Sequence, residues 1–297
     1  MTDLLATMAP EDRVGQLFVV NFDGNEVTAE SDITLLILSL RVGGVVISPR
    51  NMNFSNEKGV DTPHEVATLA NQLQGVAYGI LLPPERALDP VPIAPWPPSD
   101  YPDVASQYGF KPSNLPLLIA VQQGGDGLPA SALRRGFTPL PSQMAIGATW
   151  NPDLAHSVGD VVGGELRAVG ANMLLGPSLD VFDMTNSAAT ANLGIYSFGS
   201  SPYWVSELGR AYIAGVHEGS GNRVATVARS FPGQGSTDRP PEEEVATIQT
   251  GLEEMRQTDL KPFVATTRAP SSVVAADGDV SSTDIIMTSH MRYSAFQ

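Results

Sequence analysis

The sequence predicts an α/β fold in which a parallel sheet is covered by helices. Short apolar runs rich in Val, Ile, Ala and Leu alternate with longer segments of helical period along the 297 residues. The run VATVA at 224–228 is apolar throughout, as a strand buried on both faces requires. It ends in a cluster of turn-forming residues, Arg229 to Gly235, where a strand gives way to a loop.

Taken in order, the strand candidates are 16–22, 42–47, 117–121, 172–175 running on to 181, 224–228 and 285–289. Helices are expected between them. The segment 62–78 opens on Thr62, Pro63 and Glu65, a cap residue followed by proline at the first helical position and an acid soon after. The segment 151–169 opens on Asn151, Pro152 and Asp153, and 202–218 and 241–256 follow the same logic. Repeated right-handed β-α-β crossovers of this kind give a doubly wound sheet or a closed barrel. Residues 83–114 are rich in proline and carry Trp96, Tyr101, Tyr108 and Phe110. So long a loop is read as an insertion packed by its own aromatics, serving as a lid or as decoration.

Composition narrows the function. A single domain of this length buries roughly 75% of its unfolded surface and needs no metal or disulfide staple. The chain has no cysteine, which excludes disulfides, zinc–thiolate sites and thiol nucleophiles. A net charge of −15 argues against nucleic acid and anionic membrane surfaces as partners. No apolar run approaches the roughly 18 residues of a membrane helix. The N-terminus carries acids early and no basic segment, so it does not read as a signal peptide. That leaves a cytoplasmic protein, or a chain whose leader has been removed and whose place is the cell envelope or outside. Neither metal-ligand spacing nor a GxGxxG or GxxxxGK[ST] pattern occurs, so no metal and no cofactor are expected.

The stretch RVATVARSFPGQGST at 223–237 resembles the Lys-His-Phe-Pro-Gly-His-Gly signature of glycoside hydrolase family 3, which includes β-N-acetylhexosaminidases and β-glucosidases. Phe231, Pro232, Gly233 and Gly235 match, whereas Arg229, Ser230 and Gln234 stand where the family has Lys, His and His. The likeness extends over nearly the whole chain. MAPEDRVGQLFVV resembles the family's opening helix and first strand, VGGVVIS its second strand, and the stretch from LPLLIAVQQGG to LLGPSLDV its third and fourth strands with the helix between. SFGSSPYWVSELGRAYIAGVHEGSG resembles the helix that follows. The resemblance implies a TIM-type (β/α) barrel over 1–297, incomplete at its C-terminus, with about six of eight strands. The gap is expected to be filled by a continuation of the polypeptide or by another subunit.

What the resemblance implies for the site is a pattern of loss. Retaining hydrolysis needs a carboxylate nucleophile and a proton donor flanking the glycosidic bond. The family's Asp-Gln-Glu-Gly after the third strand is here Gln122-Gln123-Gly124-Gly125, with Asp126 nearby, and its sugar-contacting Arg after the fourth strand is here Tyr196. The hexosaminidase proton donor is a His on the loop that here reads 236–244 and contains none. The family nucleophile follows the seventh strand, beyond Gln297. No catalytic residue is therefore assigned. Asp238 and Glu242 are the acids that can stand in, against the reading that Pro240 and Pro241 start a helix whose N-terminal dipole favours the glutamates. The candidate saccharide-binding residues are Gln122, Asp126, Asp180, Tyr196, Arg229, Gln234 and His290, with Asp180 also read as ordering the mouth loops. His64 and His156 read as solvated, and His217 as a dipole-favouring residue in the last turn of its helix. The losses fall on charged and titratable positions while Gly and Pro scaffold positions stay. The expected function is thus a non-catalytic member of the family with a structural or binding role. The alternatives are an active β-N-acetylhexosaminidase or related glycosidase, and a saccharide-binding module.

Overall fold

The computed structural model describes residues 2–88, 101–113, 115–127, 131–184, 194–237, 245–267 and 280–296. The chain divides into two compact units. The first comprises Met1–Val121, Arg135–Phe137 and Ala168–Asn172; the second comprises Gln122–Arg134, Thr138–Arg167 and Met173–Gln297.

In the first unit, strands β1 (Val19–Asn21), β2 (Gly44–Val46) and β3 (Leu118–Val121) run parallel in chain order, with Val19 opposite Gly44 and Gly44 opposite Leu118. Gly44 is required by this pairing, because a Cβ there would lie 2.6 Å from the Leu118 carbonyl oxygen. The Asn172 side chain accepts from the Ile119 N–H at 2.6 Å and donates to the Leu117 carbonyl at 2.8 Å, stitching the start of the expected fourth strand to β3. The helix Thr62–Ala77 forms as expected, but its cap is Asp61, whose carboxylate accepts from the His64 N–H, while the Thr62 hydroxyl donates to the Ser55 carbonyl. Tyr101, in the proline-rich stretch, packs with Ile80, Leu82 and Ala87 beneath the Arg86 guanidinium, which lies 4.5 Å from the ring centroid. Trp96 lies outside the described residues. Leu17, Phe18 and Val19, on and before β1, are exposed.

In the second unit, β4 (Met173–Leu174), β5 (Ala225–Phe231) and β7 (Ile285–Thr288) are again parallel, with β5 between the others. β5 runs three residues beyond the VATVA stretch, into the motif itself. The fourth strand is shorter than expected. Gly176 turns back with its N–H on the Leu174 carbonyl, yet bonding to β5 continues, with Val227 N–H on the Gly176 carbonyl, Arg229 N–H on the Pro177 carbonyl and Leu179 N–H on the Arg229 carbonyl. Two helices, Pro152–Ala168 and Pro202–Ser220, pack through glycines. A Cβ at Gly159 or Gly163 would meet the carbonyls of Tyr212 or Val216 at 2.2 and 2.1 Å.

The expected helix over 241–256 is corrected. Residues 241–244 lie outside the described residues, Thr247–Ile248 is strand β6, and only Leu252–Gln257 is helical. The β-branched run Val245, Thr247, Ile248 favours extended backbone, and Gly251 resets the chain before the helix. β6 pairs in parallel with β8 (Arg292–Tyr293), which follows β7. Ala246, Ile248, Met255, Met291 and Tyr293 form a small core there. Ile286 and Met287 on β7 are exposed. No helix among the described residues is long and apolar enough to cross a membrane.

Candidate functional site

The site gathers where β5 ends. The chain past β5 cannot drift, because two glycines seat it against neighbours that a side chain would strike. A Cβ on Gly233 would lie 2.7 Å from Asp259 Cβ, and one on Gly235 would lie 1.6 Å from the Val181 carbonyl oxygen. The Gln234 N–H between them donates to Asp180 Oδ1 at 2.9 Å. Ser178 Oγ donates to the other carboxylate oxygen at 2.6 Å. Asp180 is only 1% exposed. Burial pushes its carboxyl above the ordinary range, against the pull of Ser178, the Gln234 and Ser230 N–H groups and the Arg229 charge.

The loop that carries Tyr196 is fixed to the same carboxylate residue. Ser197 is fully buried and its hydroxyl donates to the Asp180 carbonyl at 2.7 Å. Tyr196 is thereby held beside Arg229, whose guanidinium lies 5.6 Å from the ring centroid, within cation–π range. On the other side, the Ser289 N–H at the end of β7 donates to the Phe231 carbonyl at 2.7 Å, and His290 follows it, exposed. Asp180 is thus bonded to Gln234 and, through Ser197, to the loop on which Tyr196 meets Arg229, and His290 lies one residue past the β7 anchor.

Gln122 and Asp126 sit on a different turn. The Gln122 carbonyl accepts from the Ala132 N–H at 2.9 Å, and Asp126 is exposed at φ 51° with its N–H on the Leu140 carbonyl. Its neighbour Gln123 is buried, with its amide bonded to both backbone groups of Leu133. Asp238 and Glu242 lie outside the described residues. His217 sits in the last turn of its helix, as expected. It is buried, with Nδ1 2.7 Å from the Val280 carbonyl and Nε2 2.9 Å from Asp284 Oδ2. His156 is not simply solvated, since its Nε2 lies 3.0 Å from Glu218 Oε2 on the neighbouring helix. His64 is exposed, as expected.

Two residues of the site were missed from the sequence. Asp259, buried under Gly233, accepts from the Thr258 hydroxyl at 2.8 Å; burial raises its carboxyl, and the charges of Asp180 and Glu254 add to the rise. Tyr293 donates its hydroxyl to the Gly233 carbonyl at 2.9 Å and contacts Ser289 Oγ. Burial pushes this phenol up to about 12, with Asp180 and Asp259 adding to the shift. The only available signal for Asp259 was its place before a helix with Pro262 and Phe263, and for Tyr293 a hydroxyl in a short polar strand. Neither pointed to Gly233.

Chemically, the loop is organised by acids that face inward. Asp180 and Asp259 are committed to the backbone and to a threonine, and neither carboxyl is presented to solvent. The other polar groups at the loop end, each half-buried, are a guanidinium, a phenol ring, a serine and an amide. Such groups hold a polyhydroxylated ligand by hydrogen bonds and ring contact. Among the described residues no group of three or more His, Asp or Glu converges as a metal site.

The profile of the Glycosyl hydrolase family 3 N terminal domain matches residues 103–297. The beta-hexosaminidase of Idiomarina loihiensis is 31% identical over 154 residues, which is 50% of this chain and 44% of that protein. Beta-hexosaminidase A of Pseudoalteromonas piscicida is 30% identical over 186 residues, 62% of this chain and 28% of its own length. The chain therefore spans less than half of either relative. Among solved structures, a glycoside hydrolase family 3 beta-N-acetylglucosaminidase from Paenibacillus superposes over 97% of this chain and 43% of its own with a TM-score of 0.69 at 28% identity. The beta-N-acetylhexosaminidase of Beutenbergia cavernae does so over 98% and 70% with a TM-score of 0.66 at 26% identity. The fold is that of a TIM-type (β/α) barrel domain, and six of its parallel strands, three per unit, lie in this chain.

Proposed function

The chain belongs to glycosyl hydrolase family 3, through that family's N-terminal domain, and from this premise we propose that its mouth holds a saccharide without cleaving it. The observation that carries the reading is the contrast within one loop. The backbone of Phe231 to Gly235 is seated by Asp180, Asp259 and Tyr293. The side chains on it and just before it, Arg229, Ser230 and Gln234, include no group that donates and retrieves a proton near neutral pH. Family membership alone does not decide between hydrolysis and binding. The binding residues in this proposal are Gln122, Asp126, Tyr196, Arg229, Gln234 and His290, with the buried Asp180 ordering the mouth loops beneath them, on one barrel domain with a proline-rich insertion at 83–114.

Purified protein is expected not to cleave aryl N-acetyl-β-glucosaminides above a blank. Turnover of about 1 s⁻¹ or faster, abolished by Asp238→Asn or Glu242→Gln, would instead establish an active glycosidase with a replacement acid. The exposed apolar side chains on β1 and on β7 support a second part of the proposal, that further polypeptide or another subunit covers each of these strands. A stable monomer of 31.4 kDa in native mass measurement would contradict it.

A further inference from the structure

Outside the mouth, the second unit carries an aromatic group that nothing so far explains. The rings of Trp150 and Trp204 meet edge to face at 5.2 Å and 87°, and Tyr203 meets Trp204 at 5.3 Å and 79°. These contacts fix the orientation of the central indole. Trp150 is nevertheless 57% exposed and Tyr203 62% exposed. Core packing therefore does not account for the outer two rings.

The backbone does not account for Trp150 either. Its φ is +53°, a left-handed conformation that suits Gly or Asn and is rare for a bulky residue. A strained position holding a large exposed ring points to a use for the ring. The surrounding chain narrows that use. Residues 149–153 and 200–204 contain no Lys or Arg, and their polar side chains are Thr149, Asn151, Ser200, Ser201 and the single acid Asp153. With a chain charge of −15, an anionic polymer or an acidic lipid surface is repelled. The surface suits a neutral ligand with an apolar face and a hydroxyl-bearing edge, which describes a pyranose ring.

The position supplies the link to a saccharide. Gly147, three residues before Trp150, lies so close to Phe198 that a Cβ would stand 1.8 Å from its carbonyl oxygen. Phe198 belongs to the loop that holds Tyr196 beneath Arg229, and Tyr203 begins the helix after that loop. The segment that ends in Trp150 is therefore packed against the loop that carries Tyr196. The geometry points to a second saccharide site, in which Trp150 and Tyr203 take sugar units of an oligosaccharide that extends out from the mouth. It rests on the proposed reading for the class of ligand, and not on whether the mouth hydrolyses.

Only three tryptophans occur in the chain, so intrinsic fluorescence reports mainly on this group. The test is a fluorescence titration with a six-unit β-1,4-linked N-acetylglucosamine oligomer. Saturable binding is expected, weakened at least about tenfold, a difference of about 1.4 kcal/mol, in both Trp150→Gly and Tyr203→Ser. Arg229→Met, which removes a mouth contact of the same oligomer, should weaken it as well, whereas Lys58→Ala, an exposed position outside both sites, should change it less than twofold. Because glycine adopts φ +53° without strain, Trp150→Gly should keep the wild-type melting temperature. Absence of saturable binding up to about 1 mM would overturn the site, as would binding lost in Arg229→Met and untouched by the two ring variants. Unfolding of both ring variants would make the rings structural and also overturn it. So would a dimer in light scattering that Trp150→Gly dissolves, which would assign the face to a second copy of the chain. Failure of the mouth reading shows separately, as turnover, and leaves the ring variants' titration to be read by itself.

Discussion

The two ends of β5 are each pinned by a carboxylate that accepts a backbone N–H, and the two carboxylates titrate in opposite directions. At the start, Thr226 N–H donates to Asp284 Oδ2 at 2.8 Å. Just past the end, Gln234 N–H donates to Asp180 Oδ1 at 2.9 Å. Asp284 is half-exposed and bonded to His217; burial works against its charge, but His217 and Thr226 outweigh it and hold the carboxyl below its usual range. Asp180 is fully buried, and Arg229 acts on it only at a distance, so burial wins and the carboxyl is raised. The same hydrogen bond therefore serves a charge-stabilised clasp at one end and a desolvated anchor at the other. What separates them is a cation in direct contact. The His–Asp pair sits at the strand start, and the strand end carries the Asp180 anchor beside Arg229, Ser230 and Gln234.

The sharpest way to break the mouth anchor is Gly235→Ala. The added methyl would stand 1.6 Å from the Val181 carbonyl, where backbone has to move, and a cost of about 3 kcal/mol is expected. Denaturant melts measure it. A loss below about 0.5 kcal/mol would mean the loop is not seated there. Next in size is Asp180→Ala, which strips the acceptor from the Gln234 N–H and the Ser178 hydroxyl and should cost about 2 kcal/mol. Asp180→Asn keeps an acceptor for the N–H and a donor for Ser178. It should recover most of that loss, and equal losses in the two variants would argue against the anchor.

The same contrast explains what could be read from sequence. β5 was legible because its apolar run and its turn cluster are local signals, and the family motif placed Arg229 and Gln234 on one loop. The sequence also placed Asp180 at a strand end and Tyr196 in the segment after the fourth strand, and their joining to the loop follows from two strands ending side by side. His217 was legible as the end of a helix but not as half of a clasp, because Asp284 lies 67 residues further on. β6 and β8 were illegible for a related reason. Two-residue strands have no periodicity, and Thr247 meets Arg292 only through the tertiary fold. Asp259 escaped because a buried acid under a glycine leaves no trace in spacing.

At the strand start, His217→Gln should cost about 1 to 2 kcal/mol, since the Val280 carbonyl and Asp284 both lose a donor in part. This is less than the mouth variants because Asp284 can turn to water. Equal or larger destabilisation than Asp180→Ala would reverse the ranking of the two ends.

The smallest expected effect is in pH, and it tests the opposite signs directly. Both ring nitrogens of His217 face acceptors, so the geometry asks for the imidazolium. Burial lowers its pKa, but the bonds to Asp284 and Val280 and the Asp284 charge outweigh burial and raise it overall. A raised folded pKa gives stability that is fully present below the unfolded value near 6.5 and is lost as pH rises through the folded value. Asp284, lowered, adds stability above about 3.8 that is lost as pH falls through its folded value. The clasp is therefore strongest between these limits, and the stability gap between wild type and His217→Gln should be widest near pH 6. It should narrow by about 1 kcal/mol or less toward pH 9, an amount kept small by the exposure of Asp284. Asp180 behaves the other way for an acid. Its raised carboxyl favours the fold at low pH, so the gap between wild type and Asp180→Asn should move against the wild type as pH climbs above about 4. Chemical denaturation of the three proteins from pH 4 to pH 9 resolves both slopes, and a His217→Gln gap that widens with rising pH would show that the imidazole is held neutral.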